Sequence, residues 1–399
     1  MKNRREFRLV LTSCVLSCFA AVVVTTALFI RMFGGVELIA DVAKYASVAG
    51  IINERYIGKA DFQAVSDAGY RAMISELEDR WSYYMSADEY ASYRLYTGNS
   101  YAGIGVTIST DDTSGGQRIE SVNADSPAER ADLRMGQVII VVDNEDTRGM
   151  TAADVRALIG AKLGAELMLT VIDLDGEVLD VEVNCEVIYT SPVTHSMLEN
   201  DIGYIRIKNF EAGCSDAFEA AVNELLDLDV RGIVIDVRMN PGGRVTELLG
   251  ILDLLLPEGD IFVKVDNQGQ ETVDRSGSSC VELPIAVLAD KNSYSAAEFF
   301  AAALSEYGRA LVIGERTTGK GRAQGTYALG DGSAVHISNS VYLTPINRVD
   351  LSEIGGLAPD IEVIPDDESR LKFQAGRLEP QDDAQLQAAI DSLPSIRYS

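Results

Sequence analysis

With 399 residues, 47% of them apolar, the chain is long enough for more than one domain and too rich in core-forming side chains for a disordered protein. The formal net charge is −27, and beyond residue 35 there are 29 basic against 60 acidic residues, a net of −31. A body of that sign repels nucleic acid and anionic membrane surfaces; a preference for basic substrates is the minor alternative to a plain solubility effect.

Residues 1–8 are basic, and residues 9–30 are an uncharged run of 22. About 20 apolar residues span a bilayer, and a signal-peptide core is shorter, about 7–15. The expectation is a cytoplasmic tail (1–8), a transmembrane signal-anchor (9–30) and an extracytoplasmic body, in a single-pass protein of the cell membrane. Bulky Leu28, Phe29 and Ile30 before Arg31 argue against cleavage. Cys14 follows a lipobox-like string, but almost nothing apolar precedes it.

Residues 36–99 read as a helical region, with a second helix over 61–77 carrying Phe62, Val65, Ala68, Met73, Ile74 and Leu77 near helical spacing. The aromatic string at 81–85 (WSYYM) is assigned to packing rather than binding.

Residues 101–186 predict a compact β-rich unit. Gly103, Ile104, Gly105 and Val106 lead into a strand, and 117–122 is another. Ser126 caps a short helix with Pro127 at its first position. A buried strand starts at Gly136, Thr151 caps a helix, and 167–173 and 177–183 form a hairpin. The chemistry suggested is addition of an extended peptide to a sheet edge, its carboxylate held by amides of the glycine loop.

From 187 to 365 strands and helices alternate, which is α/β logic. The strand 232–237 ends in a Gly-rich turn through Asn240, Pro241, Gly242 and Gly243, where amides can face a ligand. The strand 285–288 is followed by a polar turn and then by helix-forming residues from Ala296, placing Ser295 at a strand–helix junction. A terminal helix is expected over 383–393, in a tail of 366–399.

A serine nucleophile needs a base. The chain has two histidines: His195 is read in a polar turn and His336 in a strand, and neither sits in a motif. Lys320, between Gly319 and Gly321 after a buried strand, is the remaining candidate, with a solvated loop lysine as the bland alternative. Burial against apolar walls would keep it neutral enough to accept a proton. The five cysteines show no metal-ligand spacing; Cys185, Cys214 and Cys280 read as buried or free thiols, one disulfide among them remaining open.

The order of motifs resembles the carboxyl-terminal processing proteases, also called tail-specific proteases. It covers residues 52–393: GIG at 103–105, SPAE at 126–129, DVRMNPGG at 236–243, SYSAAE at 293–298 and GERTTGKG at 314–321, followed by Gln324. The resemblance implies a mixed α/β protease core (187–365) with an inserted β-rich PDZ domain (101–186) and N-terminal helices. It implies Ser295 as nucleophile, Lys320 as base and Gln324, one helical turn beyond, orienting the lysine. The oxyanion donors become the amides of Ala296 and Gly242, with Gly243 as the alternative, and no metal or cofactor takes part. Gly103, Ile104, Gly105 and Val106 become the peptide-binding loop for protein or peptide substrates with apolar C-termini. A homodimer through the N-terminal helices and 383–393 is the oligomer it suggests. Tyr294 departs from the usual small residue, narrowing the cleft, and Gln137 replaces an aspartate. Two other readings stand beside this one: an inactive membrane-anchored PDZ scaffold, which the full Ser295, Lys320 and Gln324 set opposes, and a crotonase-like acyl-thioester enzyme, opposed by the PDZ region and the lack of coenzyme A-binding features.

Overall fold

The computed structural model describes residues 2–32 and 34–393, so the end of the expected tail, 394–399, lies outside the described residues. It divides into two compact units, Met1–Met73 and Ile74–Ser399.

The first unit is helical: α1 (Lys2–Met32), α2 (Val36–Arg55) and most of α3 (Phe62–Ser75). Gly34 and Gly35, at φ 73° and 113°, break the helix between α1 and α2, a backbone region open to glycine. In α1 the window Leu11–Leu28 has mean hydropathy 2.1 and none of it is buried, long and apolar enough to cross a membrane. Neither α2 nor α3 buries a residue, and α2 leaves Val36, Leu38, Val42 and Ile51 exposed.

The second unit begins with a short strand, β1 (Tyr83–Met85), and α4 (Ala87–Thr97), closed by a capping box between Ser86 and Glu89. The aromatic string expected within a helical region is therefore a strand. Then β2 (Ser100–Gly103) leads into β3 (Val106–Thr110), β4 (Gln117–Val122), α5 (Pro127–Arg130), β5 (Val138–Val142), β6 (Glu145–Asp146), α6 (Ala152–Gly160), β7 (Glu166–Ile172) and β8 (Val178–Asn184). These form a sheet ordered β3-β4-β5-β7-β8, with β6 on β5, around a core that includes Ile104, Ile119, Ile139, Val155 and Leu169. Strands β3 and β8 are its edges. Gln137 serves its turn well: its Oε1 accepts the Arg134 amide (2.8 Å) and its Nε2 donates to Asp173 (2.8 Å). The chain leaves through β9 (Glu186–Tyr189), which pairs antiparallel with β2.

The remainder is built on β10 (Val193–Leu198), β11 (Ile202–Ile207), α7 (Cys214–Asp227), β12 (Gly232–Asp236), α8 (Val245–Leu255), β13 (Gly259–Asp266), β14 (Glu271–Ser276), β15 (Ile285–Ala289), α9 (Ala296–Glu306), β16 (Ala310–Gly314), β17 (Arg322–Ala328), β18 (Ala334–Leu343), β19 (Ile361–Glu362), α10 (Asp367–Gln374) and α11 (Ala384–Ser392). One sheet runs β10-β11-β12-β15-β16-β19, parallel except for β10. Its strands alternate between two apolar faces. Ile233, Ile235, Ile285 and Val287 pack under α7, α8 and α9, whereas Val234, Ala286 and Leu288 pack on α11. That double burial explains the uninterrupted apolar runs in the sequence. A second sheet runs β1-β18-β13-β14, with β17 on β18.

His195 lies in strand β10, not in a turn, and its Nε2 is 3.0 Å from Glu224. Residues 334–343 form one strand where two were expected, and β14 and β17 escaped the sequence reading. Cys185 and Cys214 are buried, Cys280 is half-buried, and all are free thiols.

Candidate active site

Neighbouring strands β12 and β15 end side by side, and their carboxyl ends lead into the two turns that build the site. This is where open parallel sheets bind ligands. The first turn is pinned from beneath. Buried Asp236 receives the Arg238 guanidinium at 2.6 Å and the Tyr204 hydroxyl at 2.6 Å, and Arg238 also pairs with Asp383, the cap of α11, at 2.8 Å. Burial acts to raise the Asp236 carboxyl, but Arg238, the Tyr204 hydroxyl and Arg206 together hold it below its usual range.

The two turns are then tied to each other. Asp290 Oδ1 accepts the Met239 amide (2.9 Å), and the Ser293 hydroxyl donates to the Val237 carbonyl (2.8 Å). Ser293 is fully buried, whereas Ser295 lines the cleft. Ser295 has φ 59° and ψ −124°, a strained conformation for a residue with a Cβ, at the mouth of α9. Gly242, at φ +91°, closes onto it: a Cβ there would sit 2.8 Å from the Ser295 Cβ and 2.9 Å from the Ala296 nitrogen. Only glycine allows that approach.

The Gly242 N–H donates to the Asn240 Oδ1 at 2.8 Å and is therefore engaged. Gly243 turns its other edge to Phe210, and among the described residues no group accepts from the amides of Gly243 or Ala296, which leaves both open to a ligand.

Glu298 joins the Ser295 turn to the Lys320 loop. Its Oε1 accepts the amides of Ser295 (2.9 Å) and Lys320 (2.6 Å), and its Oε2 accepts the Thr317 hydroxyl (2.7 Å) and the Gly319 amide (2.8 Å). Burial pushes this carboxyl up, against four donated hydrogen bonds that favour its anion. Tyr342, buried, donates its hydroxyl to the Lys320 carbonyl and is hydrogen-bonded to the Ser295 side chain.

Lys320 is half-buried. Burial brings its ammonium down to about 8, with Arg80 adding to the effect and Glu298 and Asp79 opposing it. Its Nζ lies 4.5 Å from the centre of the Trp81 ring. Trp81 in turn carries Arg80 on its ring at 4.2 Å and meets Tyr294 at 5.7 Å. The string at 81–85 thus walls the site, a role that sequence reading missed; its aromatic content was the only signal.

Gln324 shares this cleft of about 730 Å³ with Ser295 and Lys320. It lies on strand β17, not a helical turn from the lysine, and its Nε2 donates to the Arg322 carbonyl and the Ser338 hydroxyl, both at 3.0 Å. His336 also faces the cleft. Its ring stacks on Tyr83 at 4.8 Å and its Nδ1 meets Thr326 at 2.8 Å; burial and Lys320 bring it down to about 4. Among the described residues, no group of three or more His, Cys, Asp or Glu is placed to hold a metal ion.

The glycine loop of the β-rich unit lies elsewhere. The Ile104 side chain is in the core and its carbonyl accepts the Ala128 amide (2.9 Å). Gly105, at φ +85°, lies so close to Ser126 that a Cβ would come within 2.3 Å of the serine Cβ. Gly103 ends β2, and Val106 opens the edge strand β3.

Residues 201–363 match the model described as peptidase family S41, and residues 118–173 match that of the PDZ domain. The chain is 28% identical over 335 residues to the chloroplastic C-terminal processing peptidase of Tetradesmus obliquus, covering 79% of this chain and 72% of that protein. It is 29% identical over 335 residues to the carboxyl-terminal-processing protease of a Picosynechococcus species, covering 82% and 79%. A solved structure described as an S41 protease of Bacteroides fragilis shares the fold, with a TM-score of 0.54 at 16% identity, over 88% of this chain and 97% of the other.

Proposed function

We propose that the chain is a serine-type peptidase of family S41, of the carboxyl-terminal processing kind that its relatives are named for, with Ser295 as its nucleophile and Lys320 as its base. The observation that carries the reading is the Glu298 carboxylate, which ties the Ser295 amide and the Lys320 amide to one oxygen.

Neutral Lys320 takes the proton from the Ser295 hydroxyl, and the oxygen adds to a peptide carbonyl. The amides of Ala296 and Gly243 receive the oxyanion, an effect of about 3–4 kcal/mol per donor in comparable sites. The Lys320 ammonium returns the proton to the leaving amine. Water, deprotonated by the same lysine, then releases the acyl group and frees Ser295. Gln324 bounds the cleft beside them and ties strand β17 to β18 through Ser338.

We further propose that 9–30 anchors the protein in the membrane with the basic N-terminus in the cytoplasm and the catalytic body outside. The edge strand β3, with the loop of Gly103, Ile104, Gly105 and Val106, takes up the apolar C-terminus of a protein substrate by strand addition. Cleavage then falls near that tail. Deleting residues 101–185 tests this: unchanged rate and substrate choice would remove the unit from recognition.

His336 favours a second base by its position in the same cleft. Its stacking and low proton affinity make it a weak one at neutral pH. The deciding experiment incubates the full chain with an unstructured protein bearing an apolar C-terminus, alongside Ser295→Ala, Lys320→Ala and His336→Ala. Loss in the first two and survival in the third is expected. Cleavage that persists in both of the first two overturns the Ser–Lys proposal.

A further inference from the structure

The chain as a whole is strongly acidic, but the cleft has the opposite sign. Among the residues lining it are three arginines and one lysine, Arg80, Arg94, Arg244 and Lys320, against one carboxylate, Glu211. The chain as a whole carries 61 acidic residues against 34 basic. A lining drawn at random from this composition would be negative.

The one acid is largely cancelled. Glu211 is buried, and its Oε2 lies 3.3 Å from the Arg244 Nε. Burial also brings its carboxyl up to about 7, so part of its charge is lost near neutrality. Other carboxylates near the site are turned to internal work: Glu298 is fully buried under four donors, and Asp79 accepts from the Ser82 hydroxyl and the Trp81 amide. Arg244 shares that pair with Glu211, whereas Arg80, Arg94 and Lys320 form no ion pair among the described residues. Arg94 is exposed on α4 with no ion pair among the described residues. Arg244 spends Nη2 on the Thr97 carbonyl, a neutral group, at 2.8 Å. Arg80 rests on the Trp81 ring.

The placement gives the charges a direction. Arg244 follows directly on the Gly243 turn that borders Ser295, and its Nη2 holds the last carbonyl of α4, the helix that carries Arg94. Arg80 stands beside Trp81 and Lys320. A peptide lying past Ser295 thus meets guanidinium groups in the cleft wall. Guanidinium groups pair with carboxylates through two parallel hydrogen bonds, and a cleft of one sign in a body of the other focuses anions into itself.

Resting on the peptidase reading above, we propose that the cleft selects a carboxylate-bearing peptide segment next to the scissile bond, with Arg94 and Arg244 as the residues that determine this preference. The carboxylate has two sources, an acidic side chain or the free C-terminus of the substrate.

The test uses the full chain in mild detergent and three quenched fluorescent peptides of one apolar sequence: a free C-terminus, an amidated C-terminus, and an amidated C-terminus with one internal glutamate near the cleavage point. At low salt, kcat/KM for a carboxylate-bearing peptide should exceed that of the neutral one about tenfold, and 0.5 M NaCl should erase most of the difference. Preference for the first peptide assigns the terminal carboxylate, and preference for the third an acidic side chain. Arg94→Glu, at an exposed position, should abolish the preference and favour a lysine-bearing peptide; Arg244→Gln should reduce it through KM. Equal, Ser295-dependent rates on all three peptides would overturn the charge selection and leave the peptidase reading standing. No Ser295-dependent cleavage of any peptide, or of the unstructured protein, would instead remove the peptidase reading itself.

Discussion

The Glu298 oxygen that accepts the Ser295 amide also accepts the Lys320 amide, at 2.6 Å, so the residue three positions after Ser295 fixes a loop that arrives more than twenty residues later. In Glu298→Gln one oxygen becomes an NH2 that faces two donors. The two hydrogen bonds on that side are lost and a donor is left buried, at about 1–3 kcal/mol. The expected result is a drop in kcat of about 10–100-fold with little change in KM, because the loss falls on the geometry of the reacting groups. Steady-state kinetics on one peptide checks this, and a change confined to KM would contradict it.

The pH profile should report Lys320. The base must be neutral, and burial has brought the group from 10.5 to about 8. Activity therefore rises with pH and levels off above about 8, where an ordinary lysine would still be charged. A kcat/KM profile between pH 6 and 10 measures the inflection; a flat profile across that range would remove Lys320 as base.

The same shift has a cost in stability. The folded state binds the lysine proton less tightly than the unfolded state. The penalty is thus full below about pH 8 and fades as pH rises toward 10.5. Lys320→Met should therefore stabilise the inactive protein by about 2–3 kcal/mol at pH 7, with a smaller gain at pH 10. Thermal melts of both proteins at the two pH values test the sign, and a gain that grows with pH would refute it.

Ser293 and Ser295 should separate cleanly. Ser293→Ala leaves the Val237 carbonyl and the Asp290 amide without their buried partner. It should lower stability by about 1–3 kcal/mol while the folded protein stays active. Ser295→Ala should keep the melting temperature and lose cleavage. Full activity loss in Ser293→Ala at a temperature where it is folded would contradict this division.

Arg238→Met strips both Asp236 and Asp383 of their buried counter-charge. Breaking such a pair costs about 3–5 kcal/mol, and here it also frees α11 from the turn that carries Asn240. Denaturant titration should show the loss; a change under about 1 kcal/mol would mean that α11 does not brace the site.

The sequence made the parallel sheet legible because each central strand is apolar on both faces: 285–288 is uninterrupted, and 232–237 is broken by Asp236 alone. Ser295 was readable because β15 must stop, turn and become α9 within a few residues. Strand β17 was not, since Arg322, Gln324 and Thr326 alternate with small residues that carry no apolar period. Trp81 was misread for a related reason: local pattern cannot tell an aromatic wall from an aromatic core, and only the pairing of β1 with β18 brings it to the lysine. The choice between the Gly242 and Gly243 amides turns on one side chain, Asn240, whose acceptor role no spacing reveals.

The ribbon of β2 and β9 places the entry and exit of the intervening segment side by side, since Ser100 pairs with Tyr189 and Gly103 with Glu186. The intervening domain is thus a cassette held at a single neck. Replacing it by a module of another length alters the entropy of closing that neck by only about 0.6 kcal/mol per doubling. The rest of the second unit, with Trp81 before the neck and Ser295 after it in the chain, can keep its shape while the inserted domain is exchanged wholesale.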